Sequence, residues 1–162
     1  MNLDNQIIAN YLYFTATDQG WHDTKGIFKD SNLIKSSTFK EYELLFNVSW
    51  DWLMPVYRFI KDTGPKCDEE GFGKLEKISE AVESCDLNMA YDSIIDYIKW
   101  DSQVPRDGND CRIFEGIEVN AIDTYGDSFA AQVVAIISVY LILVRDDNGN
   151  YFNFHPNEVY VA

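Results

Sequence analysis

Positive charge is what this chain has least of. Its 162 residues carry 13 Lys and Arg against 27 Asp and Glu, a net charge of −14, and no local basic stripe relieves it. Such a field repels nucleic acid and disfavours anionic membrane surfaces. Direct DNA or RNA binding is therefore not expected, and cationic proteins are the better partners. Long apolar runs are missing as well. The longest, Phe129 to Val144, is broken by Gln132 and Ser138 and is rich in β-branched residues, too short and strand-like for a membrane span. Met1-Asn2-Leu3-Asp4-Asn5-Gln6 has no basic region ahead of an apolar core, so no secretory signal is expected. Cys67, Cys85 and Cys111 are odd in number, widely separated and without a CxxC pair, which reads as reduced thiols in a cytoplasmic protein.

The groups that carry enzyme chemistry are equally sparse. The histidines are His22, beside Asp23 in a stretch read as irregular, and His155, beside Pro156 and read as a turn residue. A general base working near neutral pH would most easily be one of these two, yet no G-x-S-x-G or comparable motif marks a nucleophile. Paired carboxylates carry no signal in so acidic a chain, where every Asp or Glu has an acidic neighbour by chance. Asp146-Asp147-Asn148-Gly149-Asn150 lacks the alternating ligands and terminal Glu of a calcium loop, and Gly71-Phe72-Gly73 lacks the third glycine and the lysine of a phosphate loop. Neither enzymatic activity nor a metal or cofactor is expected.

What the chain does have is apolar and aromatic mass. At 46% hydrophobic and 15% aromatic residues it can bury a sizeable core, which excludes wholesale disorder. Asp4 or Asn5 caps a first predicted helix through Ile7, Ile8, Tyr11 and Leu12, which dissolves over Thr15 to Gly20; residues 20–40 read as irregular with a short strand. Ser49 is the predicted N-cap of a second helix with Leu53, Val56 and Ile60 on one face; Pro55 should kink it or begin it, and Gly64-Pro65 should end it. After a polar linker, residues 66–71, a third helix places Leu75, Ile78, Val82 and Cys85 on one side and Glu76, Glu80 and Glu83 on the other. Asp86 then caps a fourth helix, with Asp92 and Asp96 facing water.

Val104 to Asp110 is polar and turn-rich, and marks the predicted boundary between a mainly helical domain, 1–104, and a β module, 111–162. Beyond it Ile113, Ile117, Val119 and Ala121 alternate with Phe114, Gly116, Glu118 and Asn120, as in a half-buried strand. Phe129 to Val144 is long enough for two strands bending near Ile137-Ser138. Asp147-Asn148-Gly149 is a hairpin signal, Tyr151 to Phe154 the returning strand, and Val159 to Val161 a last strand after the turn His155-Pro156-Asn157. The class is α+β, a helical part followed by a small antiparallel module for which an SH3-like barrel is one architecture.

Ser49-Trp50-Asp51-Trp52-Leu53-Met54-Pro55-Val56, followed by Ile94-Ile95-Asp96-Tyr97-Ile98-Lys99-Trp100, resembles a group of short uncharacterised proteins of bacteriophages and gut-bacterial mobile elements. In those proteins an S-W-D-W-L-M-P-V element precedes a helix ending like F-I-K-W. The resemblance covers about the first hundred residues. It departs at Tyr57-Arg58-Phe59, where the family continues with more acid, and excludes the β module. It implies a phage or mobile-element context and supplies no catalytic or binding residue.

Two functions compete. One is an acidic interaction protein that binds and restrains a host or phage protein with a basic surface, such as a nucleic-acid-handling or defence protein, through Glu76, Glu80, Glu83, Asp92 and Asp96. The other is a small-molecule or nucleotide binder whose pocket is built from Trp50, Trp52, Arg58 and Trp100, with Lys61 or Lys99 as further cations, since Trp and Tyr dominate binding hot spots. The same aromatic residues would equally serve to fill the space between few helices.

Overall fold

The computed structural model of the chain describes residues 3–29, 34, 36–64, 69–109 and 111–162. They group into two compact units, residues 1–99 and 100–162.

In the first unit, α1 (Leu3–Tyr11) leads into a three-stranded antiparallel sheet of β1 (Thr15–Thr17), β2 (Gly20–His22) and β3 (Thr38–Phe39). Then come α2 (Trp50–Thr63), α3 (Glu69–Glu83) and α4 (Leu87–Asp101), the last crossing into the second unit at residue 100. Asp4 and Asn5, expected to cap α1, lie inside it. Asn5 is buried; its side-chain amide donates to Leu44 O at 2.6 Å and Asn47 Oδ1 at 3.0 Å and accepts from the Tyr91 hydroxyl at 3.0 Å. The β1–β2 hairpin replaces the fraying helix expected at residues 15–20. It needs Gly20, because a Cβ there would run into the Phe39 carbonyl.

Helix α2 buries Trp52, Leu53, Val56 and Ile60. It runs on through Pro55 instead of beginning there, and Ser49 occupies the N-cap position without a side-chain capping bond. The expected linker is shorter than its composition suggests, since α3 already begins at Glu69; Pro65 and residues 66–68 lie outside the described residues.

Two helices end alike. Phe14 N–H reaches Ala9 O at 2.9 Å and Tyr13 N–H reaches Asn10 O at 3.0 Å; Asp86 N–H reaches Ala81 O and Cys85 N–H reaches Val82 O, both at 3.1 Å. This Schellman pattern needs a left-handed residue, ordinarily glycine, yet Tyr13 (φ 61°) and Cys85 (φ 56°) fill it. Cys85 is therefore not on the apolar side of α3, as its spacing suggested, but beyond its end and exposed. Asp86 also begins α4, its Oδ1 accepting the Met89 N–H at 2.9 Å.

The second unit is a five-stranded antiparallel sheet: β4 (Glu118–Ile122), β5 (Ser128–Ser138), β6 (Leu141–Asp146), β7 (Tyr151–Phe154) and β8 (Val159–Val161) in the order β7-β6-β5-β4-β8. A 3-10 turn, Pro156–Glu158, brings the last strand back beside the first, the strand order that an SH3-like barrel would use. Ile113, Val119, Val133, Ile142, Val144 and Val159 form the buried centre. Ile113 belongs to it from irregular backbone, because the ladder begins only at Glu118. The turn after β6 spans residues 147–150, with Gly149 at φ 85°.

The expected boundary segment is part of this unit. Pro105 and Asp107 are buried, and Arg106 and Arg112 form an isolated bridge. Arg106 Nη2 lies 3.0 Å from Asp101 Oδ2 and Arg112 Nη2 2.6 Å from Asp101 Oδ1, with Asp101 only 3% exposed. Polar composition misleads here, because the polar groups satisfy one another inside the unit. Asp110 lies outside the described residues.

Candidate protein-binding surfaces

Helices α3 and α4 are antiparallel, since Lys74 near the start of one meets Asp96 near the end of the other at 2.8 Å. Ile78 and Ala81 turn inward, and the Tyr57 hydroxyl and Ser79 Oγ, 3.0 Å apart, tie α3 to α2. That leaves Glu76, Glu80 and Glu83 in an exposed row on the opposite side. No described cation pairs with any of the three, nor with the exposed Asp92, whereas Asp96 is neutralised by Lys74. Of the five predicted carboxylates four therefore present free charge and one is internally paired.

The aromatic alternative is arranged differently. Trp52 is 6% exposed and enclosed by Phe28, Phe39 and Phe46, with ring centroids at 5.0, 4.9 and 5.2 Å. Such a ring has its faces and edges occupied by protein. Arg58 is exposed on the same helix, Trp50 is half-buried, and the half-buried Trp100 groups with the second unit. The proposed helper cations have partners too, Lys61 over the Tyr57 ring and Lys99 at 3.2 Å from Asp4.

His22 lies in β2, its Nδ1 3.2 Å from Thr38 Oγ1. His155 caps the 3-10 turn by accepting the Asn157 N–H at 3.2 Å, and lies beside the Tyr140 ring. Asp146 closes the hairpin, taking the Asn150 N–H at 2.8 Å and its side-chain amide at 2.9 Å. The amide bond from Asn150 chiefly, with backbone N–H groups helping, holds the Asp146 carboxyl below the usual aspartate range. Among the described residues no group of three or more His, Cys, Asp or Glu is placed to hold a metal ion, and no helix is long and apolar enough to cross a membrane.

One feature of the second unit has no sequence signal of its own. Strands β7 and β8 are the two edges of the sheet. β8 is covered by the segment around Asp107, whereas β7 exposes Tyr151, Phe152 and Asn153 in succession. Only the pairing order identifies these strands as edges.

No protein-family model matches this sequence, and no curated protein or solved structure matches it either.

Proposed function

We propose that this is a non-enzymatic, acidic interaction protein of phage or mobile-element origin. It acts in the cytoplasm, binding and restraining a cellular protein with a basic surface, of the kind that handles nucleic acid or serves in defence. The observation that carries this reading is the row Glu76, Glu80 and Glu83, exposed on α3 with no described cation bound to it, in a chain of net charge −14. Carboxylates so placed steer a positively charged partner from a distance and fix its orientation on contact. The experiment is capture from bacterial lysate followed by titration of the purified partner with wild type and with a variant carrying Glu76→Lys, Glu80→Lys and Glu83→Lys. The folded variant should bind one stoichiometric basic partner about tenfold or more weakly at low salt, with a flatter salt dependence. Undiminished binding removes this helix face from recognition.

A further inference from the structure

The two edges of the five-stranded sheet are treated differently by the chain. Along β8 the outward backbone is occupied: Val161 N–H donates to Asp107 Oδ2 at 2.8 Å, and the Val159 carbonyl accepts from Gly108 N–H at 3.3 Å. An edge closed in this way cannot add another strand. Among the described residues β7 has no such cover, and three of its four residues are exposed.

Which of its groups are available follows from the hairpin. Asp146 N–H donates to Asn150 O at 3.0 Å, making that pair a hydrogen-bonded one. Antiparallel ladders alternate bonded and non-bonded pairs. The register Arg145↔Tyr151, Val144↔Phe152, Leu143↔Asn153 then turns the Phe152 backbone toward β6, and the N–H and C=O of both Tyr151 and Asn153 outward. Several of the usual protections of an edge strand are missing as well. Tyr151-Phe152-Asn153-Phe154 contains no lysine and no proline, and its register against β6 has no bulge.

The geometry points to β7 as a strand-addition site that takes an extended, lysine- or arginine-bearing segment of a partner protein. Main-chain bonds to Tyr151 and Asn153 would hold the segment. Phe152 is 39% exposed and braced by Phe129 at 5.4 Å, and offers an apolar contact to every second side chain. Charge selects the occupant. A second copy would bring −14 against −14, whereas a basic segment is drawn in, with Asp147 of the hairpin exposed beside its path. This rests on the reading of the chain as a binder of a basic partner, and is tested apart from it because α3 takes no part in the measurement.

The probe is a short synthetic peptide alternating lysine and valine, with a glutamate–valine peptide as its counterpart. Amide exchange read by NMR on the intact wild-type chain should show the lysine peptide slowing Tyr151 and Asn153 by about tenfold or more, and the glutamate peptide leaving both unchanged. Asn153→Pro removes an outward N–H without touching the bonds to β6, and should weaken the lysine peptide by about tenfold. The wild-type exchange measurement decides the matter even if that variant does not fold. Peptide binding that leaves those two amides unprotected overturns the assignment, as does equal binding of both peptides. Protection that grows with protein concentration in the absence of peptide would give the edge to a second copy and overturn it too. The Glu76→Lys, Glu80→Lys, Glu83→Lys chain should still protect Tyr151 and Asn153, so the acidic helix and the strand edge can fail independently.

Discussion

Asp107 and Val161, 54 residues apart, are joined by a 2.8 Å bond from the Val161 N–H to Asp107 Oδ2, while the other oxygen takes the N–H groups of Asn109 and Cys111, each at 2.8 Å. The Asp107 side chain is 4% exposed, and replacing it removes the acceptor from three part-buried donors. Asp107→Ala should cost the second unit about 1–3 kcal/mol. Urea denaturation followed by circular dichroism measures this. The same variant should become cleavable near residue 107 in limited proteolysis while wild type resists there, and cleavage of wild type at this segment would contradict its place inside the unit.

Trp52→Ala should destabilise the first unit by roughly 3–5 kcal/mol, because it empties the space among Phe28, Phe39 and Phe46. Thermal unfolding tests this. A variant as stable as wild type would return Trp52 to the list of ligand-binding residues.

Gly149 sits at φ 85° with open space where a Cβ would go. Gly149→Val should therefore cost about 1–2 kcal/mol through backbone strain alone, and Gly149→Asn clearly less. Equal unfolding midpoints for the two variants would show that strain is not what the glycine relieves.

Cys85 occupies a left-handed position that glycine takes without strain. Cys85→Gly should stabilise the α3–α4 junction by about 0.5–1 kcal/mol, less the entropy that glycine adds to the unfolded chain. Tyr13→Gly should gain nothing, because Tyr13 also carries the Lys25 ammonium over its ring and an edge contact with Phe59. Chemical denaturation of the two variants separates these cases.

The folded Asp146 carboxyl titrates below its unfolded value, so its contribution is full above the ordinary aspartate value of about 3.9 and is lost as pH falls through the folded one. Asn150→Ala removes the leading cause and should return the Asp146 midpoint toward the ordinary value in an NMR titration. Identical midpoints in wild type and variant would assign the shift elsewhere.

Features encoded within a few neighbouring residues were legible. Asn148-Gly149 announces its turn because the positive φ is a local demand, and Asp86 announces a helix start that its side chain completes. The apolar spacing of α2 and α4 and the alternation after residue 117 likewise follow from one face being buried. Long-range partners were not legible. Asn5 looks like a cap because cap chemistry is short-range, yet its amide serves Leu44, Asn47 and Tyr91. Thr15–Thr17 is wholly exposed, so no alternation marks it, and the neighbouring β2 is completed by Phe39 from a distant segment. Asp107 looks like linker because nothing nearby states that Val161 needs an acceptor. For the candidate surfaces, the exposure of Glu76, Glu80 and Glu83 could be read from helical spacing, the pairing of Asp96 with Lys74 could not, and the open edge at β7 depends on a strand order that no local pattern contains.

The knot around Asn5 also sets an order of events. Its three partners lie 39, 42 and 86 residues ahead in the chain, and the pair Asp4–Lys99 spans 95. Closing such separations costs entropy before any bond rewards it, whereas Ser138 and Leu141 meet across a tight turn. A chain emerging from the ribosome amino end first therefore meets Leu44 and Asn47 well before Tyr91, and the Asn5 cluster is complete only when α4 has been made. Shortening the first unit before Tyr91 leaves the Asn5 side-chain oxygen without the hydroxyl it accepts from.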